Sequence, residues 1–428
     1  MLRVPIEQAS AGMVLARSVA DPKKPEHILL KAGFELDEDH IKRLRSLHAY
    51  SIWVLYPGLD FLDELLDPEL LRKQQGLYKS LKEQFTDVQE QGLTKIDYNS
   101  YTSQMSDLFR QLLQAKDPSS LFVTELQGES EDIFLHGVTV ASLAILIGLR
   151  LESYLVRARP NLPVSVASDL TQLGVGCLLH DMGKLNLPDE IKNFHITAQN
   201  MGEPLWQQHT EIGFEMIKSG LDPIAGQVIL NHHQHFDGSG FPIRKAIPGS
   251  DEPVLPLEGE EIHIFCRIAC IADRFDGFRH LPDGRIAPNI VALKRMKNPG
   301  YSKWFDPIIY EAFTAAMPAF APGEQVVLND GQTVVVTEVN EVEPCRPIVR
   351  PIDPERAVNP DDSKIKSDAK SDNETNAESD AESDAKSDAE SNAKTDTDPD
   401  DTADINLTSR RDLYIARVGD FDVTSYLH

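Results

Sequence analysis

The histidines of this 428-residue chain are concentrated in one stretch. Nine of the thirteen lie between His136 and His280, and several stand beside aspartates in apolar segments with helical periodicity. Burying imidazole and carboxylate groups without partners is costly, whereas a metal ion satisfies both kinds of ligand. Distant helical segments must therefore meet, and we expect an α-helical bundle built around a polynuclear metal centre.

The strongest unit is the motif HDMGK at residues 180–184, which follows an apolar run. A carboxylate can bridge two cations about 3.5 to 4 Å apart, and such a pair polarises a phosphoryl oxygen and generates hydroxide at neutral pH. Asp181 is the natural bridge. Lys184, which follows a glycine, would direct a positive charge at a phosphate. We interpret Asp181 and Lys184 as catalytic, although a lone lysine here also fits an exposed surface residue.

Further histidines and aspartates extend the predicted ligand set. His232 and His233 are adjacent, and neighbouring residues on a helix diverge by about 100°, so the pair can reach different metals or one metal and its outer shell. Taken alone, His136 also fits a core histidine, and Asp132, one turn before it, fits a capping or solvated acid. The predicted ligands are His136, His180, Asp181, His209, His232, His233 and Asp273, with Asp132 as an optional addition.

The periodic patterns predict a mainly α protein. The run GEQVVLNDGQTVVVTEVN places an Asp-Gly turn between two alternating segments, which is typical of a hairpin. We predict a small α+β amino-terminal module at residues 1–60, connecting helices at 61–118, a helical metal-binding domain at 119–320, a small β unit at 321–352 plus 405–428, and a disordered acidic insertion at 353–404.

Charge is distributed unevenly along the chain. Residues 361–404 hold sixteen acidic and five basic residues, and so carry −11 of the formal net charge of −26. They contain too little apolar bulk to offset their chain entropy. An acidic surface repels phosphate backbones, which argues against a nucleic-acid polymer as partner. The start lacks the pattern of a secretory signal and no apolar run is long enough to span a bilayer, so we expect a cytoplasmic protein without a membrane partner.

Four motifs in order, HDMGK, HTEIG, HHQHFDGSGFP and IADRFD, resemble the HD-GYP family of cyclic di-GMP phosphodiesterases, a branch of the HD hydrolases. The opening RVPIEQASAGMVLARSV resembles a module often attached to them. The resemblance implies an HD-type helical bundle with two or three divalent ions, iron or manganese, held by the predicted ligands. It also implies that Lys184 contacts a phosphate, and that hydroxide opens cyclic di-GMP to pGpG, with GMP as an alternative end product.

The chain departs from the family pattern in several places. The signature Gly-Tyr-Pro is here Gly240, Phe241 and Pro242, which keeps the ring and loses its hydroxyl. Gln234 stands where the motif HHE carries a carboxylate, and Asp132 stands where three-metal members carry a glutamate. The basic residues that contact the dinucleotide in the family pattern are poorly matched in this chain. The candidate substrate contacts are Lys184, Gly240, Phe241 and Pro242, with Arg279 and Arg285 as further candidates.

These departures leave three functions open. The first is an active cyclic di-GMP phosphodiesterase. The second is a weak or inactive sensor or scaffold that binds the nucleotide and docks a diguanylate cyclase through the Gly-Phe-Pro loop. The third is an HD phosphohydrolase for another nucleotide. The polar, glutamine-rich helical stretch before the bundle also leaves a homodimer open as the oligomeric state.

Overall fold

A computed structural model describes residues 1–21, 24–47, 49, 51–65, 67–91, 96–115, 132–192, 202–243, 256–353 and 403–427. The predicted disordered insertion at 353–404 lies outside the described residues except for its two ends. Among the described residues, no single helix is both long and apolar enough to cross a membrane.

Helices dominate the described part of the chain, so the mainly α fold class is confirmed. The helices are α1 Glu38–Ser46, α2 Phe61–Glu64, α3 Pro68–Gln91, α4 Tyr98–Gln114, α5 Ile133–Leu149, α6 Glu152–Ala158, α7 Val164–Ala167, α8 Thr171–Leu179, α9 Asp189–Lys192, α10 Pro204–Gln207, α11 His209–Ile217, α12 Pro223–Asn231, α13 Ile264–Arg279, α14 Asn289–Met296 and α15 Pro307–Ala316.

The centre of the helical core is formed by α5 and α8, which pack against each other. Both are apolar on nearly every face, as expected for helices surrounded by protein. Helices α12 and α13 pack around them and bring in the later His and Asp motifs. The helices predicted as connectors, α3 and α4, also pack on this pair, and their Leu77, Leu81 and Leu108 are fully buried in the same core.

The strands form one larger sheet and two small ones. They are β1 Leu2–Pro5, β2 Val19–Asp21, β3 Lys24–Leu30, β4 Ser51–Val54, β5 Gln325–Leu328, β6 Thr333–Glu338, β7 Ile348–Pro351, β8 Ile405–Asn406, β9 Ile415–Val418 and β10 Phe421–Asp422. In the amino-terminal module, β1 pairs with β4 and β2 with β3, both antiparallel. The carboxyl-terminal strands form a six-stranded antiparallel sheet in the order β10-β9-β5-β6-β7-β8.

This six-stranded sheet combines strands from before and after the acidic segment. Its β5 and β6 pair across the turn at Asp330 and Gly331 with Val326 opposite Val334. The sheet also packs on the amino-terminal module, because the buried side chains of Val335 and Ile352 belong to the module's apolar core. The two ends of the chain therefore share one core beside the helical domain.

Candidate metal centre

The HDMGK motif lies at the inner end of α8. The helix delivers His180 into the core, where its side chain is 1% exposed, and Asp181 opens a 3-10 turn over Met182–Asn186. His180 Nδ1 donates a hydrogen bond to the Cys177 carbonyl at 2.6 Å. Its Nε2 atom therefore carries the lone pair that can bind a metal ion.

A close contact between two backbones brings α11 to this turn. A Cβ atom on Gly183 would lie 1.9 Å from the His209 carbonyl oxygen and 2.5 Å from the Gly213 nitrogen, so only glycine fits here. The glycines of HDMGK and HTEIG thus face each other. Their approach sets the first residue of α11, His209, beside Asp181.

The predicted ligands form two overlapping groups that share Asp181, and the ligand atoms within each group lie within 4.8 Å of one another. Asp181 Oδ2 lies 3.4 Å from the Nε2 atoms of both His136 and His180. Its Oδ1 lies 3.4 Å from His209 Nε2 and 3.9 Å from His232 Nε2. The two oxygens face different groups, as a bridging carboxylate requires. The first group is His136, His180, Asp181 and Asp273, and the second is Asp181, His209, His232 and His233.

Outer hydrogen bonds orient the imidazoles of these groups. The Nδ1 atoms of His209 and His232 lie 2.6 and 2.8 Å from the carbonyl oxygens of Trp206 and Ile229. A carbonyl only accepts, so each Nδ1 carries the hydrogen and each Nε2 keeps a lone pair directed at the centre. Histidines that bind metals in proteins are held in this way.

The donor atoms fit divalent cations, and the pKa values of His209, His232 and Asp181 favour the metal-binding forms of these three groups. His180 Nε2 and Asp181 Oδ1 are buried and have no hydrogen-bond partner among the described residues, and a cation would satisfy both. Burial lowers the pKa of His209 to about 4 and holds that of His232 well below its usual value. Burial by itself would raise the pKa of Asp181, but neighbouring positive charges outweigh it and hold that pKa well below its usual range. These groups are in their metal-binding forms at neutral pH.

Lys184 lies at the mouth of the centre. Its Nζ atom is 2.5 Å from Asp181 Oδ2 and 5.6 Å from the centre of the Trp206 ring. The side chain is 17% exposed, whereas that of Asp181 is 1% exposed. A partly exposed cation next to buried ligands can meet an anionic ligand that enters from solvent.

The Gly-Phe-Pro loop closes over the second ligand group. A Cβ on Gly240 would lie 2.4 Å from the His233 carbonyl, so glycine is required. The Phe241 ring is 5% exposed and lies 4.7 Å from the His233 ring, centre to centre. Gln234 fixes the loop, because its amide nitrogen donates to the Pro242 carbonyl at 2.6 Å. Gly240 and Phe241 thus pack against the second ligand group, and the substrate contacts of Gly240, Phe241 and Pro242 stay predictions.

Three further candidates lie outside the two ligand groups. Asp132 caps α5 by accepting from the backbone of Phe134 and Leu135, and its other oxygen accepts from the Tyr78 hydroxyl at 2.6 Å. Arg279 lies over the Phe275 ring. Arg285 pairs with Asp283 at 2.7 Å and lies 4.8 Å from the centre of the Phe421 ring in β10. The metal role of Asp132 and the substrate roles of both arginines stay predictions.

Asp276, a buried carboxylate beside the centre, was not predicted from the sequence. Its Oδ2 lies 2.7 Å from His136 Nδ1, and Asp273 Oδ1 lies 3.2 Å from His136 Nε2. Burial lowers the pKa of His136, but its hydrogen bonds to Asp273 and Asp276 outweigh that effect and raise it to about 10. The spacing of three residues between the two aspartates on one helix is the signal that could have identified Asp276.

Two more residues at the centre were also missed. The Trp206 ring contacts His209 and His233, with ring centres 4.8 and 5.0 Å apart. Arg274, which is 2% exposed, pairs with Asp273 Oδ2 at 3.0 Å and contacts His233. Nothing in the local sequence pattern indicates that this arginine turns inward.

Known proteins are similar to parts of this chain. A family model described as HD domain matches residues 165–309. A cyclic di-GMP phosphodiesterase of Pseudomonas aeruginosa is 27% identical over 247 residues, which cover 55% of this chain and 52% of that protein. The 3′3′-cGAMP-specific phosphodiesterase 2 of Vibrio cholerae is 37% identical over 103 residues, which cover 23% of this chain and 17% of that protein.

Among solved structures, an HDG"Y"P protein from Bdellovibrio bacteriovorus is 15% identical with a TM-score of 0.42, over 73% of this chain and 97% of that one. The chain spans about half the length of the Pseudomonas relative and less of the Vibrio relative. The HD match contains HDMGK, HTEIG, HHQHFDGSGFP and IADRFD, the motifs that supply all the candidate ligands except His136 and the optional Asp132. Residues 165–309 therefore match an HD domain, and the four motifs that resemble the HD-GYP family lie within that match.

Proposed function

We propose that this chain is a metal-dependent phosphodiesterase that hydrolyses cyclic di-GMP to linear pGpG. The observation that carries the proposal is the pair of buried ligand groups joined by Asp181, whose two oxygens face different groups. The name of the Pseudomonas relative supports cyclic di-GMP as the substrate. Hydrolysis adds one water across one phosphodiester bond of the ring, and a second round would give GMP.

The proposed cofactor is a pair of divalent cations, iron or manganese. His136, His180 and Asp273 would hold one ion, His209 and His232 would hold the other, and Asp181 would join them, with His233 beside the second. When bound, such a pair polarises a phosphoryl oxygen and lowers the pKa of water to near neutrality. A third ion at Asp132 is disfavoured by the capping and Tyr78 hydrogen bonds that already engage both of its oxygens.

The protein's own side chains have separate tasks in this proposal. Lys184 would exchange its contact with Asp181 for a phosphate oxygen of the dinucleotide, because it is the partly exposed cation at the mouth. The Phe241 and Trp206 rings shield the second ligand group from bulk water, which strengthens electrostatic interactions there. Arg279 and Arg285 remain the candidates for further contacts with the dinucleotide.

The test is product chromatography on the full chain loaded anaerobically with iron or manganese. We expect cyclic di-GMP to be converted to pGpG, and a His180→Ala variant to lose turnover by about a thousandfold or more. Metal content measured on the same samples should be two ions per chain in the parent and lower in the His180→Ala variant. A fully loaded protein that binds cyclic di-GMP without cleaving it would refute the proposal and favour the sensor or scaffold function.

A second candidate substrate is the mixed dinucleotide 3′3′-cGAMP. The observation in its favour is the Vibrio relative named for that substrate. Competition between the two cyclic dinucleotides, with both products quantified, distinguishes the candidates. A larger kcat/KM for 3′3′-cGAMP would replace cyclic di-GMP in the proposal.

The setting of the proposed activity is the cytoplasm, since all four cysteines are free thiols, as is typical of a reducing compartment. Docking of a diguanylate cyclase through the Gly240–Phe241–Pro242 loop stays a prediction, as does homodimerisation. A binding assay with a purified cyclase tests the docking. Size-exclusion chromatography with light scattering tests homodimerisation.

A further inference from the structure

The ammonium of Lys82 in α3 is directed towards the start of α5. Its Nζ atom donates a hydrogen bond to the Tyr78 hydroxyl at 2.7 Å, and the Asp132 carboxylate that caps α5 lies 3.8 Å away. By contrast, Lys79 pairs along its own helix with Glu83 at 3.9 Å. The position of Lys82 is therefore set by a neighbouring helix as well as by its own.

Lys82 thereby lies close to the first ligand group. His136 follows Asp132 by one helical turn, and its backbone nitrogen donates to the Asp132 carbonyl at 2.9 Å. The Nε2 atom of His136 lies 3.4 Å from Asp181 Oδ2, the oxygen that Lys184 contacts. One lysine thus contacts the first group directly, and the other lies about one helical turn from it.

The Lys82 ammonium is open to solvent at this place. Its side chain is 40% exposed, whereas those of Asp132 and His136 are each 16% exposed. An ammonium has three N–H donors, and the hydrogen bond to Tyr78 uses one of them. The others can bind an anionic ligand that enters from solvent beside His136, through charge-assisted hydrogen bonds.

Stability alone does not explain the arrangement. The Tyr78 hydroxyl donates to Asp132 Oδ2 at 2.6 Å, so it joins α3 to α5 without the lysine. A partly exposed ion pair at 3.8 Å adds little to that contact, because solvent screens the two charges. A lysine at position 82 is therefore better explained by a ligand than by the packing of the two helices.

A cyclic dinucleotide needs a cation at this edge of the centre. Its two phosphates belong to one ring, so the second phosphate stays nearby when the first reaches the metal pair and Lys184. Asp132 would repel an anion beside His136, because like charges at close range destabilise each other. Lys82 supplies the compensating positive charge, 3.8 Å from that carboxylate.

We propose that Lys82 binds the second phosphate of a cyclic dinucleotide, while the metal pair and Lys184 bind the phosphate that is cleaved. This inference rests on the proposed phosphodiesterase function. It adds a substrate contact from α3, which precedes the HD match at residues 165–309. Its consequence is selectivity for ligands that hold two phosphates close together over ligands with a single phosphodiester.

The experiment compares two probes that resist hydrolysis. One is the bisphosphorothioate analogue of cyclic di-GMP, and the other is the linear dinucleotide GpG with a single phosphorothioate linkage. Calorimetric titration of the Mn²⁺-loaded full chain should show that Lys82→Met weakens binding of the cyclic probe by about tenfold. Binding of the linear probe should change by less than about threefold, and Lys82→Arg should retain most of the affinity for the cyclic probe, since it keeps the positive charge.

Lys79→Met is the matched control. It removes the same charge from the same helix, at a side chain that is 50% exposed and pairs with Glu83. Both affinities should stay within about threefold of the parent, because solvent and salt screen a charge that does not contact the ligand. Equal losses in Lys79→Met and Lys82→Met would show an effect of net charge alone, and equal losses for the two probes in Lys82→Met would show a structural role. Either result would overturn the proposal.

These titrations measure binding without turnover, so they separate this inference from the proposed function. A protein that binds the cyclic probe through Lys82 but does not cleave cyclic di-GMP would refute only the hydrolysis. A protein that cleaves cyclic di-GMP while Lys82→Met binds the cyclic probe as tightly as the parent would refute only the role given to Lys82. A parent chain that does not bind the cyclic probe would also overturn that role.

Discussion

Gln234 connects the histidine pair to the Gly240–Phe241–Pro242 loop. Its buried amide donates to the Pro242 carbonyl at 2.6 Å, and its side chain is 1% exposed in total. An amide donates this hydrogen bond at every pH, whereas an ionised carboxylate cannot donate it. Glutamine is therefore suited to this loop in a position where the family motif carries glutamate.

Replacing Gln234 by glutamate should destabilise the protein. We expect Gln234→Glu to lower the free energy of unfolding by about 1–3 kcal/mol near pH 8, because a buried carboxylate faces a carbonyl oxygen. Burial raises the folded-state pKa of that new carboxyl above its unfolded value, so the deficit should shrink as the pH falls toward about 5. Urea unfolding of the variant and the parent at both pH values measures this difference in unfolding free energy.

The control is Gln227→Glu, since Gln227 is exposed and its side-chain oxygen accepts from Asn231. Its unfolding free energy should stay within about 0.5 kcal/mol of the parent. Equal midpoints for Gln234→Glu and the parent near pH 8 would show that the amide hydrogen is dispensable.

Asp276 acts on the metal centre through His136. Its Oδ2 is 2.7 Å from His136 Nδ1, and a charged acceptor there raises the basicity of the ligating nitrogen. Asp276→Asn retains an acceptor but removes the charge, so Mn²⁺ affinity at the first site should fall by about 10- to 100-fold in a calorimetric titration. Asp283→Asn, at an exposed carboxylate paired with Arg285, should leave it unchanged. An unchanged affinity in Asp276→Asn would mean that the charge does not tune His136.

At the level of elements, the approach of the 3-10 turn at Met182–Asn186 to α11 depends on two glycines. Gly183→Ala would place a Cβ 1.9 Å from the His209 carbonyl, so the turn and α11 must separate. We expect a loss of about 3 kcal/mol or more in stability and weaker Mn²⁺ binding at both sites, since Asp181 and His209 move apart. Thermal unfolding and metal titration measure the two effects.

Gly277→Ala is the matched control for this prediction. Gly277 lies in α13, and a Cβ there would have nothing within 4 Å. Its replacement should be neutral or should stabilise the protein by up to about 1 kcal/mol. A Gly183→Ala protein as stable as Gly277→Ala would show that the close approach is not required.

Element types could be predicted from the sequence more readily than contacts between them. The apolar runs before HDMGK and after His136 indicated the buried helices α8 and α5, because periodicity records which faces are covered. The inward turn of Arg274 could not be predicted, since a local pattern does not say which side chain meets His233 across the core. The packing of α3 and α4 into the helical core was missed for the same reason, because their polar composition suggested connectors.

For the molecule as a whole, the carboxyl-terminal sheet touches both of the other parts. Towards the amino-terminal module, the Tyr56 hydroxyl accepts from the Asp353 nitrogen at 2.8 Å, and Arg350 donates to the Gly58 carbonyl. Towards the helical domain, Phe421 lies under Arg285, in the loop after α13. The sheet therefore connects the module to Arg285, a candidate substrate contact, by a route that does not include the metal ligands.

The shared core of module and sheet predicts that they open together. Leu15→Ala, at a fully buried module residue in the cluster with Val335 and Ile352, should cost about 2–5 kcal/mol locally. Hydrogen exchange followed by mass spectrometry should then show faster exchange in β6 and β7 as well as in the module, with α8 unchanged, because cooperative units exchange together. Leu173→Ala, in the core of α8, should give the reverse pattern. Faster exchange confined to the module in Leu15→Ala would mean that the sheet is stable without the module, and that the sheet does not couple the module to Arg285.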